Sequence, residues 1–153
     1  MKTPSPKPRK TLTADAARAL AVCAGLNSRL ATRRITAFLE ARMAGGGLTL
    51  AQFGLLAHVA AAADDTLGGL AERTGLDQST LSRNLRGLEA VGLVEIATVE
   101  RDLRRRAVLM TEAGARRLEA AMPLWRAAHG ELAMRIDPAA AQRLAKKSEA
   151  LRP

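Results

Sequence analysis

A chain of 153 residues with 48% hydrophobic and 25% charged side chains is an ordinary globular domain, or one domain with helical appendages. Aromatic residues make up only 2% (Phe38, Phe53 and Trp125, with no tyrosine), which excludes a stacking platform for bases or sugars. Lys and Arg number 24 against 15 Asp and Glu, a net charge of +9 with a pI near 11.1, and that excess calls for a polyanionic partner, most simply nucleic acid.

Residues 1–11 hold three prolines, four basic residues and no acid, the composition of an extended basic arm. From Thr13 to about Met43 the chain reads as one long helix rich in Ala, Leu and Arg, capped by Thr13 and ended by Gly45-Gly46-Gly47. Leu20, Cys23/Ala24, Leu30, Phe38 and Leu39 form its apolar stripe. A helix of that length is too long for its own core to cover and calls for a second copy. Thr49 starts a second helix, from Leu50 to about Ala62, and a third runs from Thr66 to Thr74, ended by Gly75. Asp77 caps a fourth, Gln78 to Val91, in which Leu81, Leu85 and Leu88 recur at helical spacing. After Gly92, residues 93–98 read as a strand, 100–105 as a charged tip and 106–110 as the return strand of a hairpin. A fifth helix opens at Thr111-Glu112 and runs towards Met134, with a kink expected at Pro123. Asp137-Pro138 opens a sixth that ends near Leu151.

Cys23 is the only cysteine, which excludes an intramolecular disulfide and a cysteine-only metal site and fits a reducing cytoplasm. No apolar segment follows the basic N-terminus as in a secretory signal. The most apolar window, residues 48–70, carries His58, Asp64 and Asp65 and reads as a helix and a turn, so no membrane association is expected.

Residues 70–114 read helix, tight turn, helix, hairpin, helix. In a helix-turn-helix the first helix crosses the phosphates and the second enters the major groove N-terminus first. Ala71 is small enough for the two helices to approach, Gly75 makes the turn, and Leu76, Leu81 and Leu85 close the core. The remaining face of the second helix carries Gln78, Ser79, Thr80, Ser82, Arg83 and Arg86. Short hydroxyls let a helix sit deep, and arginine grips either a guanine or a phosphate. Arg83 is the leading base-reading candidate, a phosphate contact being its alternative. At the hairpin tip, residues 101–106 place Arg101, Arg104, Arg105 and Arg106 around Asp102. A narrow minor groove attracts inserted arginine, and an acid among arginines orients one of them through a charge-assisted hydrogen bond. A helix-turn-helix followed at once by such a hairpin is a winged helix. The fold class is therefore mainly α with a small β-hairpin wing.

Residues 49–114 resemble the MarR family of bacterial transcriptional regulators. The resemblance rests on residues 76–83 (LDQSTLSR), on Leu88-Glu89 with Gly92-Leu93-Val94, and on Asp102-x-Arg104 followed by Met110-Thr111-x-x-Gly114, where Met110 replaces the usual leucine. The flanking helices match in order and length. The resemblance implies a homodimer whose N- and C-terminal helices form the interface, bound to a pseudo-palindromic operator on double-stranded DNA. It implies a repressor that is often released by a small ligand, here an acidic or aromatic effector. It assigns Arg104 to the minor groove with Asp102 as its orienter, and leaves Arg101, Arg105 and Arg106 as phosphate contacts or solvated side chains. The organisation that follows is an arm (1–11), an N-terminal dimerisation helix (12–47), a winged helix-turn-helix lobe (48–110) and C-terminal dimerisation helices (111–153).

Four further residues are candidates for an effector or sensor site. Members of the family that sense hydroperoxides carry a cysteine near the start of the first long helix, supported by tyrosines. The aligned position here is Gly25 rather than Cys23, and tyrosine is absent. Another branch carries cysteine at both positions, so a redox role for Cys23 stays open beside that of a small buried side chain. His58 and His129 fall on helices that border the family's effector cavity, as does Trp125. Two histidines 71 residues apart lack metal-site spacing. One cysteine, two distant histidines and no phosphate-binding glycine loop leave no catalytic set, so no enzyme activity and no cofactor are expected. The alternative outside the regulator class is an architectural DNA-binding protein, against which the neutral Ser/Thr-rich helix face argues.

Overall fold

The computed structural model describes residues 11–61, 66–99 and 102–151, without the side chains of 99 and 102–105. It divides into two compact units that meet between Ala37 and Phe38.

The first unit holds α1 (Leu12–Val22) and the start of α2 (Ala24–Met43). The single long helix expected from the sequence is broken at Cys23, which turns to an extended conformation at φ −67°, ψ 105°. Val22 and Ala24 lie on separate helices as a result. The amide of Asn27 donates to the carbonyl of Ala21 at 3.2 Å and satisfies an acceptor near the break. Gly25 adds a residue of low helix propensity just beyond it. No residue of α1 is buried, and Leu12, Leu20, Val22 and Leu26 are all exposed, Val22 by 75%.

The second unit continues α2 into a short 3-10 turn (Ala44–Gly46) and then α3 (Leu50–Ala61). Thr49 and Gln52 cap α3 reciprocally: Thr49 N–H donates to Gln52 Oε1 at 2.9 Å, and Gln52 N–H donates to Thr49 Oγ1 at 3.2 Å. The unit goes on through α4 (Leu67–Thr74), α5 (Gln78–Ala90), β1 (Val94–Val99), β2 (Asp102–Met110), α6 (Glu112–Ala133) and α7 (Pro138–Ser148). The core lies where α3, α4, α5 and β2 converge. Leu56, Leu70, Leu81, Leu85, Leu88 and Val108 are fully buried there, and Met43 is fully buried at the end of α2.

Strands β1 and β2 pair antiparallel in register from Val94↔Met110 to Thr98↔Arg106. The register then slips, and Val99 pairs with Asp102. The return strand therefore begins at Asp102 rather than at residue 106. An isolated bridge between Thr66 and Ala107 fixes the hairpin against the start of α4. Helix α6 runs through Pro123 without a break. Glu119, whose carbonyl would lose its partner there, is exposed, so water can take it. The α2 end is clamped to α6: the Arg42 guanidinium lies 3.5 Å over the Phe38 ring, and its Nε donates to Glu131 at 2.5 Å. No residue of α7 is buried. Among the described residues no single helix is long and apolar enough to cross a membrane, and no group of three metal-ligating side chains occurs.

Candidate nucleic-acid interface

The turn between α4 and α5 has the geometry that its sequence dictates. Thr66 caps α4 by accepting from Gly69 N–H at 3.2 Å. Gly75 closes the helix at φ 65°, its N–H donating to Ala71 at 2.9 Å. A side chain at that φ would be strained, so glycine is what allows the chain to turn within three residues into α5.

Asp77 caps α5 more heavily than an ordinary N-cap. One carboxylate oxygen accepts from Thr80 N–H at 2.9 Å and from the Ser79 hydroxyl at 2.6 Å. The other accepts from the Thr80 hydroxyl at 2.8 Å. These bonds, the one from the Ser79 hydroxyl first, hold the Asp77 carboxyl far below the usual carboxylate range.

Leu81, Leu85 and Leu88 anchor the inner face of α5. Gln78, Ser79, Arg83 and Arg86 are exposed, while Thr80 and Ser82 are half-buried at its margin. The six residues singled out from the sequence thus share one helix. Four of them face solvent outright. Arg106 is exposed at the paired end of the wing. Asp102, Arg104 and Arg105 lie along β2, and their side chains are outside the description, as is the whole of Arg101.

The root of the wing is a junction of three elements. At the end of α5, Gly92 N–H donates to Glu89 and Leu93 N–H to Leu88, both at 2.9 Å. The Glu89 carboxylate accepts from Ile96 N–H on β1 at 3.2 Å. Thr111, the cap of α6, donates through its hydroxyl to Gly92 at 2.7 Å and through its N–H to Leu93 at 3.2 Å. Gly114 then sits so close to this strand that a Cβ would lie 2.0 Å from the Leu93 carbonyl oxygen. The Thr111-x-x-Gly114 pattern is therefore a docking seat. A residue larger than glycine at 114 would push α6 off the strand.

The effector and sensor candidates are only partly gathered. Trp125 stacks on Phe53 with centroids 5.8 Å apart, and His129 tilts against Trp125 at 4.2 Å while its Nδ1 bonds the Trp125 carbonyl at 3.0 Å. Trp125 and His129 are thus joined in one half-buried stack between α3 and α6. His58 is half-buried on α3 but is not part of the stack. Cys23 is half-buried at the helix break of the first unit.

Comparison with known proteins decides the family. A MarR-family model matches residues 46–105. The chain is similar to the transcriptional regulator MosR of M. tuberculosis in complex with DNA, at 30% identity over 86% of this chain and 99% of that one, with a TM-score of 0.76. The chain belongs to the MarR family. It is a DNA-binding transcriptional regulator with a winged-helix fold. Two more distant structures share that fold. A MarR variant from E. coli in complex with operator DNA is 24% identical over 88% of this chain and 97% of that one, with a TM-score of 0.73. BpsR of Bordetella bronchiseptica is 22% identical over 84% and 91%, with a TM-score of 0.70. No curated protein sequence matches the chain.

Sequence reasoning missed three features of this candidate interface. They are the hydroxyl contacts of Asp77, the bond from Glu89 to the wing, and the seat at Gly114. Each joins residues whose types were visible, but whose pairing needs the turn geometry between them.

Proposed function

We propose that this protein is a homodimeric, sequence-specific repressor that holds a pseudo-palindromic operator and releases it when a small ligand binds. The observation that carries the reading is the pair of terminal helices. Helices α1 and α7 bury none of their residues, although Leu12, Leu20, Val22, Leu144 and the adjoining Leu151 are 55–81% exposed. Apolar side chains in that number call for a second copy of the chain, and a two-fold dimer presents two α5 helices to two half-sites.

On the DNA, Gln78, Ser79, Thr80, Ser82, Arg83 and Arg86 meet the major groove, with Arg83 reading a base. Arg104, oriented by Asp102, enters the minor groove, and Arg101, Arg105 and Arg106 hold phosphates. The ligand part of the proposal is supported by relatives. CouR from Rhodococcus jostii has been seen bound to p-coumaroyl-CoA, and the DNA binding of BpsR is regulated by 6-hydroxynicotinic acid. An acidic or aromatic effector is the chemical class these share. Its candidate contacts are His58, Trp125 and His129.

The test is selection of bound fragments from random DNA at two salt concentrations with non-specific competitor, alongside sedimentation of the free protein. A dimer that enriches a palindrome with half-sites roughly one helical turn apart establishes the reading. Salt-sensitive binding without an enriched motif would replace it with an architectural role.

A further inference from the structure

Asp77 does more than cap α5. Its carboxylate accepts the hydroxyl of Ser79 at 2.6 Å and the hydroxyl of Thr80 at 2.8 Å. A serine or threonine hydroxyl carries one proton and two lone pairs. With both protons directed back at Asp77, what the two oxygens offer outward is lone pairs. The carboxyl is held far below the usual carboxylate range, so it stays an acceptor at any working pH. Ser79 is exposed and Thr80 half-buried, so the Ser79 oxygen has the freer access.

We infer that Ser79 and Thr80 read the operator as hydrogen-bond acceptors, and that Asp77 is the positioning residue that fixes this polarity. The inference rests on the reading of α5 as the helix that contacts bases. In the major groove the donors are the exocyclic amines of adenine and cytosine. Guanine O6 and N7, thymine O4 and the phosphate oxygens are all acceptors. None of these can receive a proton from Ser79 or Thr80 unless a charge-assisted bond to Asp77 is broken first. The two hydroxyls therefore select adenine or cytosine over guanine, thymine and phosphate. Arg83, four residues on from Ser79 and so on the same face, offers only donors and prefers guanine. Each half-site should then carry an adenine or cytosine opposite Ser79, beside a guanine opposite Arg83.

The experiment uses the full-length protein and duplexes of the operator it selects. At each adenine or cytosine of the half-site the base is replaced by its amine-free analogue, purine or pyrimidinone. At one position, loss of the amine should weaken wild-type binding about tenfold. The same replacement should cost Ser79→Ala nothing further, which separates the contact from weakened base pairing. Asp77→Asn keeps an N-cap of similar strength, so the helix is retained. Its oxygen stays on Thr80 N–H and the Ser79 hydroxyl while its amide is set against the Thr80 hydroxyl, so its selected sites should admit guanine or thymine opposite Thr80 and keep adenine or cytosine opposite Ser79. If no amine-free analogue weakens wild-type binding, or if Asp77→Asn selects the same bases as wild type, the polarity inference is overturned and the enriched palindrome leaves the regulator reading intact. If wild type enriches no palindrome, the reading of α5 fails and the inference falls with it.

Discussion

Replacing Gly114 with alanine tests the wing junction directly. Gly114 is the third residue of α6, buried against Leu93, the residue before β1. An added Cβ would stand 2.0 Å from the Leu93 carbonyl oxygen, 3.0 Å from its carbon and 3.1 Å from Met110 Cγ. Ordinary carbon contacts lie at about 3.5–4.0 Å, so the first overlap exceeds an ångström. The atom in the way is backbone, and it is already committed to Thr111 N–H at 3.2 Å. Relief requires α6 or the strand to shift. Overpacking of this kind costs about 1–3 kcal/mol. Loss of the Thr111 bond adds about 1 kcal/mol. The gain in helix propensity from glycine to alanine returns up to about 1 kcal/mol. The expected net loss is about 1–3 kcal/mol. Gly130, exposed on the same helix with nothing within 4 Å of its would-be Cβ, is the control. Gly130→Ala should be neutral or stabilising by up to about 1 kcal/mol. Urea unfolding at one fixed protomer concentration measures both, since association couples to stability. A Gly114→Ala protein within about 0.5 kcal/mol of wild type, the usual range for a surface change, would refute the seat.

The residues proposed to contact DNA, the wing root and Cys23 give further expectations. Arg83→Ala should cost about 1–3 kcal/mol of operator affinity and relax sequence preference at one position per half-site, read by fragment selection; equal weakening on all sequences would reassign Arg83 to a phosphate. Arg104→Ala should weaken operator binding and reduce the preference for A·T pairs beside the half-sites, checked by titrating operators with altered flanks. Glu89→Ala should lose about 1 kcal/mol of stability by leaving Ile96 N–H without its acceptor, whereas Glu89→Gln keeps a carbonyl there and should lose less, both read by urea unfolding. With a ligand-released repressor, peroxide should leave operator binding of wild type and Cys23→Ser alike unchanged; release of wild type alone would make Cys23 a redox sensor.

The winged helix was legible because punctuation and period agree there. Gly75 and Asp77 mark the turn, and Leu81, Leu85 and Leu88 mark the inner face of the helix that follows. The break at Cys23 was not legible. Ala- and Leu-rich sequence on both sides favours helix, and the interruption rests on a single ψ angle and a side-chain bond from Asn27 to Ala21. The start of β2 at Asp102 was hidden for another reason. A run of arginines reads as a solvated tip, while the slipped register after Thr98 depends on how many residues the tip must accommodate. At the site itself, residue types on α5 could be read from spacing. The engagement of Ser79 and Thr80 with Asp77 could not, because the same hydroxyls on a bare helix face would be free to donate.

The junction at Gly92 and Leu93 bears on how the proposed ligand release could work. Three elements meet at this junction: the end of α5 through Leu88 and Glu89, β1 through Ile96, and α6 through its cap Thr111 and its first turn at Gly114. Three of these ties are backbone hydrogen bonds, two run through the Glu89 and Thr111 side chains, and one is a close contact. Helix α6 carries Trp125 and His129 further along, and α3 presses Phe53 against that stack. A ligand that separates α3 from α6 near Trp125 therefore cannot move α6 alone. The displacement reaches the wing root and the C-terminal end of α5 together, and so changes the angle at which each α5 meets the DNA. In the proposed dimer two such helices must match half-sites at a fixed spacing, which would make a small rotation in each protomer enough to lose the operator.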